Sequence, residues 1–120
     1  MSKLNPIRLP ELVVAASLLL VAATAQSDPF YAAQDLVPNP DRGKQIFVTC
    51  VGCHEPTGWG SPSGAIPQLA GQYPRIIMRQ LAEIRDGMRP SPIMKGFATP
   101  DLIGGPQGIA DAAHYIASWR

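Results

Sequence analysis

Cys50-Val51-Gly52-Cys53-His54 is the segment of this chain whose residue types and spacing can do chemistry. Two thiols three positions apart lie about one helical turn from each other. Both sulfurs can then add to the two vinyl groups along one side of a porphyrin, the arrangement of covalent haem attachment. His54, next to the second thiol, falls under the iron as its proximal ligand. A redox-active or structural disulfide is the main alternative, because C-x-x-C is also a thioredoxin-type motif. That alternative expects a preceding strand and a βαβ pattern, and the sequence has neither. A zinc site needs two more Cys or His ligands. Only His114 is left, and there are no further cysteines.

A site of this kind needs an exporting segment and a domain to hold it. Lys3 and Arg8 make a positive start, an apolar run follows from Leu12 to Ala25, and Ala23-Thr24-Ala25 offers a small-residue cleavage site before Gln26. Residues 1–25 therefore read as a secretory signal peptide, with an uncleaved N-terminal anchor as the alternative. The run is shorter than the roughly 20 residues that span a bilayer as a helix. Without it the chain loses Lys3, Arg8 and Glu11 and stays near neutral, with no strong electrostatic address for nucleic acid or anionic lipid. Such a small domain buries only a modest core, so a large apolar cofactor at its centre would supply much of the missing buried surface. Two cysteines in an oxidising compartment make a disulfide or a cofactor site, and the adjacent His54 favours the cofactor.

Along the domain the patterning is helical. Residues 26–38 read as an irregular lead-in, with Pro29 and Pro38. Asn39-Pro40 predicts a helix start, a capping Asn followed by Pro at the first helical position. Gly43, Ile46, Phe47 and Cys50 then form a stripe at helical spacing, and the helix is expected to end near Val51–Cys53. Between Glu55 and Gln72 the density of Gly and Pro predicts a loop of the kind that wraps a haem edge. Tyr73-Pro74 opens a second helix with Ile77, Leu81, Ile84 and Met88 on one face and Arg75, Arg79, Glu83 and Asp86 on the other. Arg89–Ala98 reads as irregular. Thr99-Pro100-Asp101 resembles a helix start that Gly104-Gly105-Pro106 interrupts. A last helix is predicted from Gln107 to Ser118, with Ile109, Ala113, Ile116 and Trp119 inward. No stretch alternates with period two, so the expected class is all-α, three to four helices with long loops around one haem.

Fast electron transfer calls for a fixed ligand on both sides of the iron. Met1 lies in the export segment, and Met78 reads as packing inside the second helix. Met94, in the Pro-containing loop, is the leading candidate for the sixth ligand, with Met88 the alternative and His114 a remote third. A His/Met pair raises the reduction potential relative to two nitrogen ligands, because the soft thioether favours ferrous iron.

Four blocks in order carry a resemblance. They are Gly43-Lys44-Gln45-Ile46-Phe47 before Cys50–His54, Pro67-Gln68-Leu69-Ala70-Gly71-Gln72, Met94-Lys95-Gly96-Phe97, and Ala112-Ala113-His114-Tyr115-Ile116-Ala117-Ser118-Trp119. Over roughly residues 40–119 the chain resembles bacterial class I c-type cytochromes, above all the small periplasmic ones and single halves of dihaem cytochromes. The resemblance implies a cytochrome c-like fold over residues 39–120 and one covalent haem c held by Cys50 and Cys53. It implies that the Pro67 carbonyl accepts from His54 Nδ1–H, leaving Nε2 for iron, with Met94 as distal ligand. It also implies that Gly43 and Phe47 pack against Tyr115 where the first and last helices cross. Leu102-Ile103-Gly104-Gly105-Pro106-Gln107-Gly108 departs from the family pattern, which runs straight into the last helix.

The expected function is a periplasmic one-electron carrier, not an enzyme. It would meet donor and acceptor proteins through a small transient interface framed by residues such as Trp59, Ile66 and Ile93, as a monomer. The alternative is a cytochrome subunit of a membrane-bound dehydrogenase or oxidase, docked permanently or tethered by residues 1–25. Arg75, Arg79 and Arg89 either steer acidic partners or simply solvate a helix face, and the second is the simpler expectation.

Overall fold

The computed structural model describes residues 28–119, so residues 1–25, read above as a signal peptide or anchor, lie outside the described residues. Among the described residues the regular structure is entirely helical, in seven segments. They are α1 (Pro29–Gln34), α2 (Pro40–Phe47), α3 (Val51–His54), α4 (Pro74–Arg85), α5 (Pro92–Phe97), α6 (Pro100–Ile103) and α7 (Gly105–Ala117). Only α2, α4 and α7 reach eight residues, which reconciles three principal helices with the larger count.

All of these helices except α3 begin with a proline in the first two positions. Proline's fixed φ suits the first helical turn, and its missing N–H is one the helix leaves unpaired there. Two segments expected to be irregular turn helical for this reason. Asp28-Pro29 starts α1, with the Asp28 carboxylate accepting from the Phe30 N–H at 2.9 Å. Ser91-Pro92 starts α5, so Met94 sits on a helix and not in an open loop. The lead-in is thus part of the packed domain. Phe30 and Ala33 are buried in the main core with Ile77, Met78, Ile109 and Ile116.

The helix carrying the first block ends sooner than its pattern suggests. α2 stops at Phe47, and the Thr49 and Cys50 N–H groups make tighter bonds to Ile46 and Phe47 three residues back. The haem motif then forms its own turn, α3, with the His54 N–H on the Cys50 carbonyl at 3.0 Å.

α2 crosses α7 with backbone nearly touching backbone. A Cβ at Gly43 would collide with the Asp111 carbonyl and lie 2.7 Å from Tyr115 Cβ, so glycine is required at the crossing. Phe47 meets Tyr115 at 6.0 Å and Trp119 at 4.6 Å between ring centroids. The expected Gly43–Phe47–Tyr115 packing is therefore present. One end of the crossing is pinned by Asp111, a fully buried carboxylate. It accepts from the Asn39 N–H at 2.7 Å and Gln107 Nε2 at 2.9 Å, and it pairs with Arg42. Burial alone would raise the Asp111 carboxyl. The three hydrogen bonds and the Arg42 charge outweigh it and hold the group below the usual carboxylate range.

The departure at residues 102–108 resolves into a sharp corner. Gly104, at φ 87°, ends α6 and caps α7 directly, a left-handed conformation that glycine adopts without steric cost. α7 begins at Gly105, two residues before the expected start, because Pro106 fits its first turn.

Candidate functional site

α4 separates two environments. At 100° per residue, Ile77, Leu81 and Ile84 share one face, which forms part of a cavity wall. Arg75, Arg79 and Ala82 lie roughly on the other face. There the Arg79 guanidinium stacks over the Phe30 ring at 4.0 Å, and Arg75 lies at 5.5 Å. These two arginines hold α1 in place, so they do more than solvate a helix face.

The cavity encloses about 270 Å³ and has mostly apolar walls drawn from α2, α4, α6 and α7. Cys50, Cys53, His54, Pro67 and Met94 all line it. Both thiols are free, Cys50 half-buried and Cys53 exposed. Burial pushes the Cys50 thiol up, and a hydrogen bond with the Thr49 side chain opposes that in part.

His54 is 4% exposed, and its Nδ1 lies 2.9 Å from the Pro67 carbonyl oxygen. A carbonyl can only accept, so Nδ1 carries a proton, and of the two neutral tautomers this is the one that leaves the Nε2 lone pair for a metal. The loop after the haem motif brings this carbonyl in. Gly60 N–H donates to the His54 carbonyl at 3.2 Å, and Ser61 N–H to the Ile66 carbonyl at 3.0 Å. The Leu69 and Ala70 N–H groups both donate to Gly58, at 2.7 and 3.0 Å. Gly60 has φ 70°, and a Cβ there would lie 2.8 Å from the Pro67 oxygen itself.

The other candidates separate cleanly. Met94 is half-buried on the cavity wall. Met88 lies past the end of α4, is 80% exposed and is not part of the wall. Met78 is buried in the core, as its packing role requires, and His114 is on the surface of α7. Ile66 and Ile93 line the cavity, whereas Trp59 is exposed away from its wall. No group of three or more His, Cys, Asp or Glu among the described residues could hold a metal ion. The Asp111 cluster was missed in sequence; an apolar-rich helix carrying a lone Asp was its only signal.

These residues suit a haem c. Two free thiols at C-x-x-C spacing, an imidazole with Nε2 available, apolar walls and a thioether converge on one cavity.

Comparison with known proteins agrees. The Cytochrome c family model matches residues 40–120, more than half of the chain, with α1 preceding the matched region. Cytochrome c4 of Pseudomonas aeruginosa is 40% identical over 78 residues, covering 65% of this chain and 37% of that protein. The cytochrome subunit of sulfide dehydrogenase of Chlorobaculum tepidum is 31% identical over 97 residues, covering 76% of this chain and 86% of that subunit. The solved cytochrome c4 of Acidithiobacillus ferrooxidans superimposes with a TM-score of 0.58 at 30% identity, over 70% of this chain and 52% of that one. The chain thus spans well under half the length of the Pseudomonas cytochrome c4. Motif, all-α fold and family match converge: the chain belongs to the cytochrome c family, as a class I c-type cytochrome.

Proposed function

We propose that this chain carries one electron at a time on a single haem c, bonded through Cys50 and Cys53 and ligated by His54 Nε2 and Met94. The haem iron supplies the one-electron redox couple. The protein's part is to fix the ligands, keep water from the iron and leave a cofactor edge for partners. The carrying observation is the His54–Pro67 hydrogen bond at 2.9 Å, which occupies Nδ1 and leaves Nε2 as the ring nitrogen for iron, on a residue that lines the same cavity as Met94. Pro67 holds the imidazole, and the apolar walls favour the less charged ferrous state. No substrate chemistry is needed, and the role is that of a carrier.

Residues 1–25 would export the chain to the periplasm, where donor and acceptor proteins meet it, and would tether it if uncleaved. Among the described residues no helix is long and apolar enough to cross a membrane. Attachment is tested by denaturing the purified holoprotein and extracting it with acidified acetone. The haem should stay with the polypeptide, and Cys50→Ser/Cys53→Ser should release it. Haem extracted from the unaltered protein would refute the covalent reading.

A second reading, a subunit of a dehydrogenase complex, is favoured by the similarity that covers 86% of the sulfide dehydrogenase cytochrome subunit. Copurification with a larger catalytic chain would select it.

A further inference from the structure

The described residues include five arginines, and four of them have partners. Arg42 pairs with Asp111, Arg85 with Asp86 at 3.0 Å, and Arg79 with Glu83 at 3.9 Å, while Arg75 lies over Phe30 together with Arg79. Arg89 has no partner for its guanidinium among the described residues, and it is the one arginine on the cavity wall. No lysine, aspartate or glutamate shares that wall. The Arg89 backbone is fixed: beyond the left-handed Gly87 at φ 77°, its N–H donates to the Glu83 carbonyl at 3.0 Å. Ser91, two residues on, lines the same wall, and its hydroxyl makes no cap to α5.

An exposed cation on a held backbone, two residues from a hydroxyl that lines the same apolar cavity, suits a carboxylate. Guanidinium binds carboxylate in a bidentate fork, which the hydroxyl can supplement. Haem brings carboxylates as its two propionates, and one left against apolar walls without a counter-charge would be costly. We propose that Arg89, assisted by the Ser91 hydroxyl, is the positioning residue that takes one haem propionate at the cavity rim. This rests on the haem reading above. Arg89 acts through the propionate and contributes no ligand to the iron.

Arg89→Gln, Arg89→Lys and the control Lys95→Gln are compared as holoproteins, reading the reduction potential against pH. Ionisation of a propionate on rising pH adds negative charge and lowers the potential. An adjacent cation holds that ionisation at low pH, typically by about one unit or more. Arg89→Gln should move the falling step up by about one pH unit. Arg89→Lys should restore most of the unaltered profile. Lys95, whose Nζ lies 3.7 Å from where a Gly87 Cβ would sit, is the nearby surface cation, and its removal should leave the step in place. The nearby carboxylates, Glu83 and Asp86, have partners in Arg79 and Arg85 and are unchanged across the series. His54 and the two cysteines on the wall are likewise common to all variants. Superimposable profiles for Arg89→Gln and the unaltered protein would overturn the assignment, as would an equal shift in Lys95→Gln. A chain that takes up no covalent haem would instead defeat the haem reading itself.

Discussion

The Pro67 carbonyl accepts the His54 Nδ1–H at 2.9 Å, and Gly60 is the residue that leaves room for it. Side-chain replacement of Pro67 does not remove a backbone oxygen, but Gly60→Ala displaces it. At φ 70° the new Cβ is strained in addition to crowding Pro67. Gly60→Ala should destabilise the holoprotein by about 1–3 kcal/mol in denaturant unfolding and shift the reduction potential. Unchanged stability and potential would mean that the loop does not orient the imidazole.

Phe30 anchors α1, with Arg79 stacked on its ring at 4.0 Å. Phe30→Ala should cost about 3–5 kcal/mol of stability. Because α1 packs on the face of α4 turned from the cavity, the haem absorption spectrum should not change. Thermal and denaturant unfolding followed at the haem band and by circular dichroism checks both. A loss below about 1 kcal/mol would make α1 a dispensable lead-in after all.

Asp111 gives the stability a pH dependence of known sign. Its folded pKa is depressed, so its contribution is intact above the unfolded carboxyl value, near pH 4, and is lost as pH falls through the folded value. Asp111→Ala leaves the Asn39 N–H without its acceptor and takes from Gln107 one of its two, the Val37 carbonyl remaining, and should cost about 1–3 kcal/mol at neutral pH. The Arg42 side chain is 51% exposed, so the ion pair itself contributes little of this. Urea unfolding from pH 7 to 3 should show a smaller difference between variant and unaltered protein at the acid end. A constant difference across that range would rule out this carboxylate as the titrating group.

Much of this was legible because the informative signals are local. Cys50, Cys53 and His54 fall within five residues of contiguous chain, and Asn39-Pro40 and Tyr73-Pro74 mark helix starts with two residues each. The same dipeptide logic applied to Asp28-Pro29 and Ser91-Pro92, but short flanking segments without a full apolar period made them read as loops. Asp111 was beyond reach because Asn39 and Arg42 meet it across about 70 residues of chain. No sequence period records such a pairing. Arg89 is similar: three neighbouring arginines look alike until Phe30 takes two of them.

Met94 as the second iron ligand has a direct signature in the ferric absorption spectrum. A thioether–iron bond gives a weak far-red charge-transfer band. This band should be present in the unaltered holoprotein and in Met88→Ala, since the Met88 side chain is 80% exposed. Met94→Ala should lose the band, with a fall in reduction potential. A band that survives in Met94→Ala and disappears in Met88→Ala would contradict Met94 as the ligand.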